Sequence, residues 1–155
     1  MVTAQRHIEA MDKIAVLVNV RERNCGELRE RLLKLGFTEE EVAEALESAV
    51  RSGLVNEERY TRAFIRGKVA LGWGRRKVVD RLRHEGIDDA LIARCEDEFP
   101  DEDDEYAMAL EELSRRGCTS SNPYASYMRR LVNKGYGYEV AQRAVRAYLS
   151  EEGEG

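Results

Sequence analysis

The chain carries one ten-residue pattern three times, as LRERLLKLGF at 28–37, VVDRLRHEGI at 78–87 and YMRRLVNKGY at 127–136. In each copy an apolar residue stands eight places before the glycine and a leucine four places before it, so both lie on one helix face. The glycine ends the helix, because it adopts the left-handed conformation beyond a helix end without the steric cost of a Cβ atom. The pattern therefore predicts three related helical repeats.

A second helix is predicted after each glycine, because apolar residues recur six, nine and thirteen places later. They are Val42, Ala45 and Ala49, then Ile92, Cys95 and Phe99, then Ala141, Ala144 and Tyr148. A further helix is predicted over about 56–71. Helix starts are indicated by candidate N-cap residues at Asn24, Asn56, Asp88 and Asn122 and by the acidic stretch 101–105.

Composition agrees with these helices. The chain has 155 residues, two prolines and few aromatic residues, which is typical of an all-α protein. We expect a tandem repeat of three-helix units that forms an elongated, curved array, since a single short unit buries too little surface to be stable alone. The expected divisions are an N-terminal extension at 1–23, repeats at 24–72, 73–118 and 119–155, and an acidic C-terminal tail. The apolar run 14–20 suits a strand as well as a helix, and we favour the helix.

The charge is unevenly distributed. The net charge is −5, but residues 59–83 hold nine Lys or Arg and one acidic residue, whereas 96–112 hold ten acidic residues and no basic one. The total charge therefore favours neither nucleic acid nor an anionic membrane as a partner, while the local basic segment suits phosphates or an acidic protein.

The stretch GLVNEERY at 53–60, followed by AFIR at 63–66, GWG at 72–74, Val78, Leu82 and Gly86-Ile87, resembles the RecX family of recombination regulators. The resemblance covers roughly 17–149 and is weakest in the last third. It departs from the family pattern at Asn24, where a serine cap is frequent, and at Arg75, where a proline is frequent.

This resemblance implies a regulatory protein of DNA repair, recombination and the SOS response that is not an enzyme. It implies binding to RecA filaments on single-stranded DNA, with the DNA contacted through the filament, and most often inhibition of strand exchange and ATP hydrolysis. It also implies tandem three-helix units. We expect a cytoplasmic monomer without cofactor, metal or membrane association.

The candidate partner or DNA-binding residues are basic side chains around one aromatic residue. They are Arg59, Arg62, Arg66, Lys68, Trp73, Arg75, Arg76, Lys77, Arg81, Arg130 and Lys134. The alternative is a solvated face neutralised by the acidic segments of the same chain. Trp73 either presents its indole to a partner or fills the joint between two repeats, and we favour the joint.

Two other charged sets have competing interpretations. One repeat position, five places before the glycine, is occupied by Arg31, Arg81 and Arg130. These arginines either form a ladder of cations along a groove-lining face or pair with carboxylates of an adjoining helix, and we favour the pairing. The acidic run 96–112 suits a basic partner surface or a solvated helix start, and the helix start is favoured.

Catalytic and metal chemistry have little support in the sequence. Three cysteines stand far apart at 25, 95 and 118, which argues against disulfides and a zinc site and fits reduced thiols. The two histidines, His7 and His84, have no second ligand or nucleophile at a meaningful spacing. Two other functions stay open: an autonomous nucleic-acid-binding module and a protein-only helical adaptor.

Overall fold

The computed structural model describes residues 1–154, with side chains up to residue 151, so the end of the predicted acidic tail lies outside the described residues. Every regular element in this range is a helix, which confirms the all-α prediction. The helices are α1 Ala4–Val20, α2 Cys25–Lys34, α3 Glu39–Arg51, α4 Glu57–Ala70, α5 Arg75–His84, α6 Asp89–Arg94, α7 Glu102–Ser114, α8 Pro123–Lys134 and α9 Tyr138–Glu154, with a 3-10 turn at Glu96–Glu98.

These helices belong to two compact bodies. The first body contains Met1–Ala63 together with Glu85–Ile87. The second body contains Phe64–His84 and the described chain from Asp88 onward, so the division falls within α4. The repeats predicted from the sequence are each built around one glycine-terminated helix, namely α2, α5 and α8.

Helix α1 completes the core of the first body. Ala10 and Ile14 are fully buried in one apolar cluster with residues of α2 and α3. The N-terminal segment is therefore a helix, as favoured from the sequence, and it is longer than the apolar run 14–20. Because α2 and α3 alone offer only one face each, α1 supplies the third side of this core.

Arg6 attaches α1 to the turn between α2 and α3. Its guanidinium donates to Glu41 at 2.8 Å and to the carbonyl of Gly36 at 3.2 Å, and it lies 4.3 Å from the centre of the Phe37 ring. Glu41 also accepts from the backbone N–H of Thr38 in a capping box. The hydrogen bonds from Arg6 and then from Thr38 lower the pKa of Glu41 to about 2.

An apolar core in the second body joins α7, α8 and α9. Its buried residues are Ala109, Leu113, Tyr127, Met128, Leu131, Tyr136, Val140, Ala141, Ala144 and Val145. Ile65 of α4 and Val78 and Leu82 of α5 are also fully buried.

The helix predicted through Phe99 ends early. Helix α6 stops at Arg94, the 3-10 turn follows, and Phe99 is extended with φ −83° and ψ 146°. Pro100 accounts for the extended Phe99, since a proline disfavours the helical conformation at the residue before it. Cys95 and Phe99 are nevertheless buried, as their periodicity predicts.

The predicted caps and glycine turns are confirmed. The N-cap side chains of Asn24, Asp88 and Asn122 accept hydrogen bonds from the first turns of α2, α6 and α8, and Asn56 accepts one from the backbone N–H of Arg59. The three repeat glycines have φ of +96°, +85° and +104° at Gly36, Gly86 and Gly135. A Cβ atom would meet nothing within 4 Å at Gly36 or Gly86, so only the backbone conformation requires glycine there.

Gly135 differs because its backbone touches another backbone. A methyl group added at Gly74 would lie 2.3 Å from the carbonyl carbon of Gly135, and one added at Gly135 would lie 2.5 Å from Cβ of Lys77. At this contact the N–H of Gly74 donates to the carbonyl of Lys134 at 2.8 Å, and the N–H of Arg76 donates to the carbonyl of Gly135 at 3.0 Å. The last carbonyls of α8 thus satisfy N–H groups at the start of α5 that have no partner within their own helix.

We expect Gly135→Ala to be far more destabilising than Gly86→Ala, although both glycines end a helix in the left-handed conformation. The conformational strain is about 1–2 kcal/mol at either position. At Gly135 the overlap with Lys77 adds about 1–3 kcal/mol of overpacking. Urea unfolding of both variants measures the difference in free energy of unfolding, and equal losses would contradict the close contact described here.

The Arg6–Glu41 pair predicts acid sensitivity of the first body. The pKa of Glu41 is lower in the folded than in the unfolded state, so its contribution is present above pH 4.5 and is lost as the pH falls towards 2. Arg6→Gln should flatten the pH dependence of unfolding in that interval, whereas Gln5→Ala at the neighbouring exposed position should keep it. Urea titrations between pH 2 and 5 test this, and an unchanged pH profile in Arg6→Gln would reject the assignment.

Candidate partner and nucleic-acid interface

The centre of the candidate interface is the turn between α4 and α5 in the second body. Helix α4 is followed by Gly72 in the left-handed conformation, with φ +88°. The N–H of Trp73 donates a hydrogen bond to the carbonyl of Lys68 at 3.0 Å. The buried hydroxyl of Tyr136 donates to the carbonyl of Gly72 at 2.7 Å. Burial raises the pKa of Tyr136 to about 12, so this hydroxyl keeps its proton and the turn stays fixed to the C-terminal end of α8.

Two lysine side chains contact the indole of Trp73 at this turn. The ammonium nitrogen of Lys68 is 4.7 Å, and that of Lys77 4.2 Å, from the centre of the indole ring, and the residue is half-buried. An aromatic ring attracts cations through its quadrupole, so the indole holds both ammonium groups near the turn. No carboxylate of residues 1–151 pairs with either lysine, and both remain available to an anion.

A groove beside this turn joins basic and apolar side chains. The α5–α8 groove, as we name it, has a volume of about 470 Å³ and is lined by Arg75, Arg76, Val79, Asp80, Arg83 and Val132. Val132 is a large apolar residue with 42% of its surface exposed. Arg76 is exposed and has no carboxylate partner among the described residues.

Other cations of the second body are paired with its own carboxylates. Arg75 donates twice to Glu96 and stacks 4.5 Å from the centre of the Phe99 ring. The hydrogen bonds from Arg75 lower the pKa of Glu96, and the same contact raises the pKa of Arg75. Arg66 pairs with Glu98 at 2.8 Å. These contacts occupy the first residues of the acidic run 96–112, and Asp101 serves as N-cap of α7.

Two predicted site residues belong to the first body instead. Arg59 pairs with Glu22 at 2.5 Å and donates to the carbonyls of Gly53 and Leu54. Arg62 lies 4.0 Å from Glu58, one helical turn earlier. The side chain of Arg59 therefore satisfies backbone carbonyls in the turn after α3. The position of Arg59 in a basic segment of the sequence does not indicate this structural role.

The remaining predicted cations have varied surroundings. Arg130 donates to the carbonyls of Arg116 and Gly117 and lies 5.0 Å from the centre of the Tyr127 ring. Lys134 lies 3.8 Å from Glu112. Arg81 is exposed on α5. The ladder of Arg31, Arg81 and Arg130 stays a prediction, although Arg130 contacts backbone carbonyls rather than the carboxylates of a neighbouring helix.

The side chains of residues 1–151 form no metal-binding cluster. No group of three or more His, Cys, Asp or Glu side chains in this range is arranged to hold a metal ion. None of the three cysteines forms a disulfide. Burial and the Glu57 carboxylate raise the pKa of Cys25 to about 12, so its thiol stays protonated and weakly nucleophilic at neutral pH.

Sequence reasoning missed the apolar part of the α5–α8 groove. Val132 stands next to the buried Leu131, at the repeat position held by Leu33 and Arg83. An apolar residue just off the buried stripe is a weak signal, because single exposed apolar residues are common on protein surfaces. Glu112 was also missed as an individual residue: it is buried, and it pairs with Lys134 and Arg115.

This arrangement of helices and glycine turns defines an all-helical protein of tandem three-helix repeats. The family model described as RecX, second three-helix domain, matches residues 56–95, which span α4, α5 and α6. A protein of Amycolatopsis mediterranei named regulatory protein RecX is 30% identical over 155 residues, covering 96% of this chain and 88% of its own length. The chain therefore belongs to the RecX family of regulatory proteins.

Other relatives agree in sequence and in fold. Regulatory protein RecX of Streptomyces coelicolor is 29% identical over 137 residues, covering 85% of this chain and 73% of its own length. The crystal structure of RecX from Lactobacillus salivarius superposes with a TM-score of 0.78 at 16% identity, covering 94% of this chain and 98% of that one. The superposition with the Lactobacillus salivarius structure supports the fold. The repeat arrangement predicted from the three glycines agrees with this fold.

One further finding concerns membranes: within residues 1–154, no helix is both long enough and apolar enough to span a bilayer.

The Arg75–Glu96 pair predicts that Glu96→Gln strengthens binding to polyanions. Removing this carboxylate frees Arg75, so the variant should elute from a heparin column at higher salt, with a salt slope steeper by about one. The matched control is Glu111→Gln, which removes the same charge from an exposed carboxylate that pairs with no arginine in the described chain. If both variants shift equally, net charge rather than the pairing of Arg75 governs the affinity.

Proposed function

We propose that this protein binds RecA filaments on single-stranded DNA and inhibits their recombinase and ATPase activities, as a non-catalytic regulator of DNA repair and recombination. Membership of the RecX family supports a regulatory role. The observation that carries the finer proposal is the group of cations around the α4–α5 turn, namely Lys68, Arg76 and Lys77, which have no carboxylate partner in residues 1–151.

These cations suit phosphates without base recognition. Ammonium and guanidinium groups that displace counterions from a phosphate backbone supply affinity but carry no sequence information. A regulator that acts on filaments of any sequence needs contacts of that kind. The indole of Trp73 fixes the two lysines near the turn, which lowers the entropy lost when they bind an anion.

The rest of the charge opposes strong binding to free DNA. The chain has a net charge of −5, and its own carboxylates pair with Arg66 and Arg75. The three cations at this turn provide few phosphate contacts, so affinity for free DNA should be low at physiological salt. This charge balance favours binding through a nucleoprotein filament over an autonomous DNA-binding module.

The proposed mechanism is a shift of filament populations. A bound regulator changes the state of its partner only if it binds one state more tightly than another. We propose that the protein binds as a monomer in the cytoplasm and favours a filament arrangement that does not hydrolyse ATP. No cofactor or metal enters this mechanism.

The test is ATP hydrolysis by RecA on single-stranded DNA with the protein titrated in, beside a binding curve for the same DNA without RecA. We expect inhibition at concentrations that leave free DNA unbound. Arg76→Glu combined with Lys77→Glu should raise the half-inhibitory concentration at least about tenfold, because attraction to the anionic groups of the filament becomes repulsion.

The matched control is Lys13→Glu combined with Lys34→Glu, which makes the same charge change at exposed residues of the first body. This control should inhibit almost as well as the unaltered protein. Equal loss in both double variants would show that net charge governs inhibition, and no inhibition by the unaltered protein would reject the proposed function.

A further inference from the structure

The α5–α8 groove combines features that a phosphate chain alone does not explain. Two valines line it, Val79 half-buried and Val132 with 42% of its surface exposed. A carboxylate, Asp80, lines the same groove. Apolar side chains and a negative charge both disfavour a backbone that carries one phosphate at every nucleotide.

Only one of the three arginines that line the groove has no carboxylate partner in residues 1–151. Arg75 is held by Glu96, and Arg83 by Asp89 at 2.7 Å. Arg76 has no such partner in the described chain. The groove therefore offers one available guanidinium beside an apolar patch, which differs from the row of cations that follows a nucleic-acid strand.

A polypeptide with acidic and apolar side chains matches this arrangement. A carboxylate on such a segment can accept both N–H groups of the Arg76 fork, which a guanidinium presents in a fixed plane. A neighbouring apolar side chain would cover Val79 and Val132, and a backbone N–H can donate to Asp80. A carboxylate at one position of a peptide can also stay clear of Asp80, whereas regularly spaced phosphates cannot.

We propose that the α5–α8 groove binds an acidic segment of the protein partner that carries apolar side chains, while Lys68 and Lys77 at the Trp73 turn contact nucleic acid. The inference rests on the proposed function, since it assigns the protein component of the filament to this groove. It divides the basic surface of the second body into one protein-binding part and one phosphate-binding part. The two parts meet at α5, which carries both Arg76 and Lys77.

The test substitutes the apolar lining without changing any charge. Val79→Ser combined with Val132→Ser is compared with Val20→Ser combined with Val50→Ser, two valines of the first body that are 74% and 50% exposed. Val132→Ser alone is a second test variant at an exposed position. Fluorescence anisotropy gives the affinity for RecA–oligo(dT) filaments held by a non-hydrolysable ATP analogue, and separately for oligo(dT) alone.

We expect the Val79/Val132 variant to bind filaments about tenfold more weakly and Val132→Ser about threefold, since each lost apolar contact lowers affinity. The affinity of both test variants for oligo(dT) should stay within about twofold of that of the unaltered protein. The affinity of the Val20/Val50 control variant for filaments should also stay within about twofold. Filament affinity within twofold in both test variants would overturn the assignment of the groove. An equal loss of oligo(dT) affinity would show that nucleic acid occupies it and would overturn the inference too.

Failure of the proposed function gives a different result. If the unaltered protein does not bind filaments, the proposed function is rejected and this inference with it. If the unaltered protein binds filaments and both test variants bind equally well, only the groove assignment is rejected.

Discussion

The backbone contact between Gly74 and Gly135 holds the candidate interface together. Lys134 and Gly135 end α8 with their carbonyls directed at the first N–H groups of α5. Each helix end satisfies polar groups that the other leaves unpaired, and a side chain at either glycine would separate them. The Trp73 turn, the two lysines beside it and the α5–α8 groove all depend on this contact, since it sets where α5 begins relative to α8.

The same glycine turn therefore has different roles in the three repeats. At Gly36 and Gly86 the space around the α-carbon is open, and glycine is required by its positive φ. At Gly135 the positive φ and the close approach coincide. In the first body, a side chain provides the connection that a backbone provides in the second: Arg6 donates to the carbonyl of Gly36 and pairs with Glu41. A repeated motif thus fixes local conformation, while the neighbouring contacts are individual to each copy.

Electrostatics of the second body follow a similar division. The basic segment and the acidic run partly neutralise each other through Arg75 with Glu96 and Arg66 with Glu98. Exposed pairs of this kind contribute little stability, so their main consequence is to reduce the number of cations available to a partner. Three cations of the basic segment that have no carboxylate partner in residues 1–151, namely Lys68, Arg76 and Lys77, lie within ten residues of one another along the chain and flank the only tryptophan. Part of the basic segment is therefore neutralised by the chain's own acidic residues, and another part is available to a partner. Each of the two interpretations of this segment describes one of these parts.

The amino-acid sequence by itself determined the helices, their ends and the buried stripes, because these depend on contacts within a few residues. The predicted caps at Asn24, Asp88 and Asn122 and the buried leucines 32, 82 and 131 are of this kind, and the exception at Phe99 is explained by the proline that follows it. Tertiary structure alone decided which cations are paired, since Arg75 and Glu96 are 21 residues apart. It also decided that Gly135 meets Gly74 and that Val132 lines a groove with Arg76. Those properties depend on which helix ends meet in space, and periodicity along one helix carries no information about that.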